Sequence, residues 1–188
     1  RRSSDLVASN AAAVRVSNAY FTVEHPARGG GGFPCKLAFG PARQVDDRLY
    51  FLDRAVRPEA EGGPLVSYCA KACEDAQARV VFASPLRVVV EARTGFGGRA
   101  AETPGRPSAV YRYTYTANSP VVEVSAQYVR ADDAPWRELQ FLHLTRADRH
   151  YRAFVTGGPP QTHALQAKGA RSRAVTAPQW AVMTDGTN

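Results

Sequence analysis

Leu86-Arg87-Val88-Val89-Val90-Glu91-Ala92-Arg93 sets Leu86, Val88, Val90 and Ala92 on one side of an extended chain and Arg87, Val89, Glu91 and Arg93 on the other. Successive side chains switch faces only in a strand, so this period of two predicts a strand with one face against a core. Val110-Tyr111-Arg112-Tyr113-Thr114-Tyr115-Thr116 repeats the pattern with three tyrosines on one face. Ala117-Asn118-Ser119-Pro120 has the chemistry of a turn. Val121 to Arg130 then runs back, with Val122, Val124, Ala126 and Tyr128 opposite Glu123, Ser125 and Gln127. A hairpin is the direct reading.

Outward from this hairpin the pattern holds more loosely. Thr94 to Pro107 is rich in glycine and proline and reads as a long exposed loop. Trp136 to Thr145 reads as one strand with apolar bulk on both faces, hence buried on both sides. Upstream, Val14 to Glu24 is a first strand candidate and Gly29-Gly30-Gly31-Gly32 a turn. Phe33 to Phe39, Leu65 to Tyr68 and Val80 to Phe82 are short strand candidates, and only Tyr68 to Arg79 reads as a short helix. Residues 1–13 read as a linker or frayed start, and residues 14–188 as a single domain. Gln179 to Thr184 is a last strand, followed by Asp185-Gly186, a hairpin signal with no partner strand after it. The expectation is a segment of a longer chain, or a sheet completed by another segment. Closely spaced strands with turns between them predict an all-β fold, an antiparallel β-sandwich.

The 188 residues are enough to bury a core without staples. Hydrophobic residues at 44% and charged residues at 22% argue against disorder and against a fibrous repeat. No apolar run approaches the roughly 20 residues of a membrane span, and no signal-peptide pattern opens the sequence. The net charge is +7, and only Lys36, Lys71 and Lys168 of the 24 basic residues are lysine. Two readings stand side by side: the coding bias of a GC-rich genome, or a surface for an anionic partner. Guanidinium forks pair with carboxylates and sulfates as well as with phosphates. The arginines are scattered rather than gathered in a run, which argues against nucleic acid. Cys35, Cys69 and Cys73 are too few for a disulfide framework, and free thiols and a single bridge are both open.

Val16-Ser17-Asn18-Ala19-Tyr20-Phe21-Thr22-Val23, the glycine cluster after it and Lys36-Leu37-Ala38-Phe39 resemble the opening of large β-sandwich domains in carbohydrate enzymes. The family is the galactose-mutarotase-like supersandwich. Ser84 to Glu91, Tyr111 to Tyr115 and Val121 to Val124 are similar to its central hairpins, and Trp180 to Gly186 looks like a late strand. The likeness covers about two thirds of the chain, which is shorter than a complete supersandwich. It implies a domain of a polysaccharide-degrading enzyme, a glycoside hydrolase or lyase, that contacts a glycan and is secreted or periplasmic. The alternatives are a non-catalytic carbohydrate-binding module and a structural or assembly sandwich.

Candidate chemistry is sparse. Glu138 and His143 are the catalytic candidates, as carboxyl group and general base. Their spacing puts them on opposite faces of a regular strand, so an acid–base pair would need a bulge. Asp46/Asp47 and Asp132/Asp133 are adjacent carboxylates best explained by turns. Substrate-binding candidates are Trp136 and Arg137 near a loop end, and Tyr111, Arg112 and Tyr113. Aromatic faces stack on sugars, and arginine neutralises a uronate; core packing is the competing reading for the tyrosines and for Trp136 and Trp180. His25, His143, His150 and His163 lack metal-ligand spacing, and Phe33-Pro34 after the glycines is no phosphate loop. The reading names no metal and no cofactor. Its partners are a polysaccharide or oligosaccharide and the remainder of a longer chain or another subunit, with neither nucleic acid nor a membrane among them.

Overall fold

The computed structural model describes residues 7–39, 44–46, 49–51, 53–59, 61–97, 106–130, 132–133, 135–141, 144–146, 153–156, 161–164 and 181–184. It is all-β, and the helical segments among the described residues are 3-10 turns at Gly30–Gly32 and Ala70–Ala72. In chain order the strands are β1 (Val7–Ser9), β2 (Ala13–Ser17), β3 (Phe21–Pro26), β4 (Lys36–Phe39), β5 (Gln44–Asp46), β6 (Leu49–Phe51), β7 (Arg54–Pro58), β8 (Leu65–Cys69) and β9 (Gln77–Ala83). There follow β10 (Arg87–Gly95), β11 (Ser108–Thr116), β12 (Val122–Val129), β13 (Glu138–Gln140), β14 (Leu144–Arg146), β15 (Ala153–Thr156), β16 (Gln161–Ala164) and β17 (Ala181–Thr184).

The chain divides into two compact units, residues 1–145 and 146–188. In the second, β15 pairs with β16 on one side and β17 on the other, both antiparallel. The first holds a five-stranded meander β1-β2-β3-β4-β5, a four-stranded sheet β12-β11-β10-β9 and a three-stranded sheet β13-β7-β8; β6 pairs with β14. The core lies between the five- and four-stranded sheets, making an antiparallel sandwich. Val14, Val16, Phe21 and Val23 meet Val88, Val90, Ala92 and Tyr115 there, and Ala55 and Tyr68 extend the cluster.

Tyr111, Tyr113 and Tyr115 share the inner face of β11 and are at most 1% exposed. Phe21 meets Tyr115 edge-on at 6.1 Å, and Phe33 meets Tyr111 at 4.9 Å. Such aromatic pairs add about 0.5–1.5 kcal/mol each beyond the area they bury. The glycine run closes over the same end. Gly29 to Gly32 all have φ between 57° and 71°, and a Cβ on Gly31 would stand 2.6 Å from the Phe33 ring. Glycine alone takes that backbone and that proximity without strain.

Several elements differ from the sequence reading. Val14 to Glu24 is a hairpin rather than one strand: Asn18 Oδ1 accepts the N–H groups of Tyr20 and Phe21 and folds β2 back into β3. Val7–Ser9, inside the expected lead-in, pairs with β2. Tyr68 to Arg79 is no helix; it holds the end of β8, a 3-10 turn and the start of β9. Trp136 to Thr145 is interrupted, with β13 pairing to β7 and β14 to β6. The expected loop after Thr94 begins later, since Gly95 is still in β10 and Phe96 is fully buried. The Asp185-Gly186 turn lies outside the described residues.

Candidate functional site

Register converts scattered arginines into a cluster. Arg79 in β9, Glu91 in β10, Arg112 in β11 and Ser125 in β12 stand side by side across the four-stranded sheet. All four lie on the face opposite the tyrosines, because their neighbours Ala78, Val90, Ala92, Tyr111 and Tyr113 point inward. Arg93, two residues beyond Glu91, completes the group from the next row. Glu91 Oε1 accepts from Arg93 Nε at 2.8 Å and Arg79 Nη2 at 3.2 Å, and Oε2 accepts from Arg112 Nε at 3.0 Å. The carboxylate is 3% exposed, whereas the arginine side chains are 62%, 61% and 59% exposed for 79, 93 and 112. Three guanidinium groups thus roof one carboxylate. The Arg93 hydrogen bond most of all, then those from Arg112 and Arg79, holds Glu91 down to about pKa 2 against the opposing effect of burial.

The surroundings are shallow. Val110, Arg112, Ser125, Ala126 and Gln127 line a depression of about 230 Å³ beside the cluster. At the far end of the sheet the Arg87 guanidinium lies 4.9 Å over the Phe82 ring. Arg112 is therefore the one substrate candidate from β11 that faces solvent. Tyr111 and Tyr113 are core residues whose rings are covered, and burial pushes both hydroxyls up, away from ionisation.

Behind the tyrosines lies a buried polar line. Tyr111 O–H donates to Asp53, which is fully buried. His25, equally buried, has Nδ1 at 3.0 Å from the Gly32 carbonyl and Nε2 at 2.6 Å from the Tyr115 hydroxyl. The carbonyl only accepts, so Nδ1 carries the hydrogen and Nε2 accepts from Tyr115. Desolvation lowers His25 to about pKa 4, although the Gly32 hydrogen bond acts the other way. This neutral, enclosed imidazole holds two elements together and is shut off from any substrate.

The other candidates are structural in their contacts. Trp136 is half-buried, edge-on to Tyr68 at 5.6 Å, with the Arg57 guanidinium 5.0 Å over its ring. Arg57 in turn pairs with Asp132 at 2.7 Å. Arg137 is exposed, and its backbone N–H donates to the Val56 carbonyl. Glu138 pairs with Arg54 across β13 and β7. His143 and Trp180 lie outside the described residues. Cys35, Cys69 and Cys73 are all free thiols, which resolves the cysteine alternatives left open by spacing. No group of three His, Cys, Asp or Glu among the described residues is arranged to hold a metal. No helix among them is long and apolar enough to cross a membrane.

Sequence reasoning picked out Arg112 and passed over Glu91, Arg79 and Arg93. The signal was the polar half of the alternation in β10, whose partners appear only once the cross-strand register is known. No protein-family model matches the chain, and no curated protein matches it.

Proposed function

We propose that the chain is a glycan-contacting β-sandwich unit of a polysaccharide-degrading system, and that the outer face of the four-stranded sheet is its contact surface. The observation that carries this reading is the gathering of Arg79, Arg93 and Arg112 on three adjacent strands with their side chains about 60% exposed. A rigid sheet fixes their spacing, since neighbouring strands lie roughly 4.8 Å apart. The resemblance of the hairpins to carbohydrate-enzyme sandwiches supports the glycan as partner over other surfaces. Such a partner belongs outside the cytoplasm, and a secreted or periplasmic location follows from it.

Between a catalytic domain of a hydrolase or lyase and a non-catalytic binding module, the arrangement favours binding. Asp132 and Glu138, two of the carboxylates around Trp136, are each held by an arginine, while Asp133 is exposed. A glycosidase needs one such carboxyl free to protonate and its partner free to attack or to activate water. The deciding experiment measures binding and turnover together on a panel of neutral, uronate and sulfated polysaccharides. Retention on charged polymers with no new reducing ends and no unsaturated products is expected. Turnover would move the assignment to an enzyme, and indifference to every glycan would remove the proposal.

A further inference from the structure

We infer that Glu91 is a positioning residue that presents the arginines as a preformed receptor for the carboxylate or sulfate groups of an anionic polysaccharide. The inference rests on the glycan-contacting reading and names the ligand class of that same face. Arg93 and Arg112 both spend Nε on Glu91. The two terminal nitrogens of each arginine, four N–H groups per guanidinium, have no hydrogen bond to another described residue. A guanidinium held by its Nε edge directs its terminal fork away from the carboxylate, which here means into solvent. That fork matches a planar carboxylate or a sulfate bidentately, as an ammonium cannot.

Burial of Glu91 strengthens the grip. At 3% exposed it is shielded from the solvent that weakens ordinary surface pairs. Long arginine side chains lose rotamer freedom when they bind, and here part of that loss has already been taken in the free protein. The cluster still carries two net positive charges, three guanidinium groups against one carboxylate. A uronate or sulfated chain repeats its anions along its length, so several forks are met at once. Neutral glycans offer only hydroxyls, which accept single hydrogen bonds and lack the charged bidentate match to the forks.

The test exploits an opposition of sign. Glu91→Gln raises the charge of the face by one and removes the clamp. Simple attraction predicts tighter binding of polyanions; positioning predicts weaker binding. Affinities for heparin, polygalacturonate, a neutral glucan and a DNA oligonucleotide are measured for the wild type, Glu91→Gln and the triple variant R79Q/R93Q/R112Q. The expected result is about tenfold weaker binding of both acidic glycans by Glu91→Gln and loss of binding by the triple variant. The neutral glucan should bind neither variant better than the wild type. Unchanged or tighter binding by Glu91→Gln overturns the positioning role while leaving the contact surface standing. Wild-type affinity in the triple variant overturns the surface itself, and tighter binding of DNA than of both glycans overturns the ligand class. Should Glu91→Gln melt early, R93K/R112K carries the test at exposed positions: it keeps the charge and removes the forks. Wild-type affinity in that variant overturns the inference, and an about tenfold loss supports it.

Discussion

His25 and Glu91 respond to acid for opposite reasons. The imidazole is lowered to about pKa 4 from 6.5, so between these values the unfolded chain binds a proton that the folded one refuses. Its stabilising effect is therefore complete above pH 6.5 and fades as pH falls towards 4, by about 3 kcal/mol in all. Glu91 is lowered to about 2 from 4.5, so its contribution is present above pH 4.5 and fades towards pH 2. Melting temperature against pH should fall in two stages. The His25 imidazole should remain neutral by NMR at pH 5, and a protonated ring there would contradict the assignment. Tyr111→Phe removes the hydroxyl that donates to buried Asp53 and is expected to cost about 1.5–3 kcal/mol in chemical denaturation. A cost under 0.5 kcal/mol would mean that the buried carboxylate is satisfied without it.

The alternation in β10, β11 and β12 was readable because each strand has a polar and an apolar face and a turn sequence separates the last two. Val14 to Glu24 reads as one strand interrupted at Ser17-Asn18, because nothing between Val16 and Phe21 is glycine or proline. Asn18 makes that corner with its side chain instead. Its Oδ1 serves the β2–β3 turn, and its Nδ2 donates to the carbonyls of Thr116 and Ser119 in the β11–β12 turn. Asn18→Ala is expected to lower stability by about 2 kcal/mol and to raise amide exchange at both turns together; exchange confined to one turn would refute the double role. The presumed helix after Tyr68 failed for a different reason. Cys69 exchanges two backbone hydrogen bonds with Gly97, and a Cβ at Gly97 would overlap the Ala72 carbonyl oxygen. That non-local crossing fixes the turn at Ala70–Ala72 and overrides local propensity. Gly97→Ala is accordingly expected to destabilise by several kcal/mol, on the order of 3, seen as a lowered denaturation midpoint.

At the scale of the molecule, composition announced a basic protein but not a basic site. The excess of +7 is spread along the chain, and folding concentrates three of its arginines over one carboxylate. Two-sheet architecture was legible from strand spacing; the cluster was not, since it depends on which residue of β9 stands beside Glu91. The bulge that shifts register between Val89 and Val90 is part of that outcome, and bulges leave little trace in sequence. If the outer sheet face meets an acidic glycan, heparin should raise the melting temperature of the whole protein. The shift should shrink steeply as salt rises from roughly 0.05 to 0.5 M, because exposed charges are screened. A salt-independent shift would point to a different contact.

The bond between imidazole and phenol at positions 25 and 115 has a bearing on how this sequence can vary. Either partner left alone in the core has a buried polar atom to satisfy, at about 1–3 kcal/mol, yet phenylalanine at both sites would leave only the Gly32 carbonyl to be accommodated. Substitutions ninety residues apart should then arrive in tandem, and the doubly exchanged protein should be sturdier than the two single exchanges add up to.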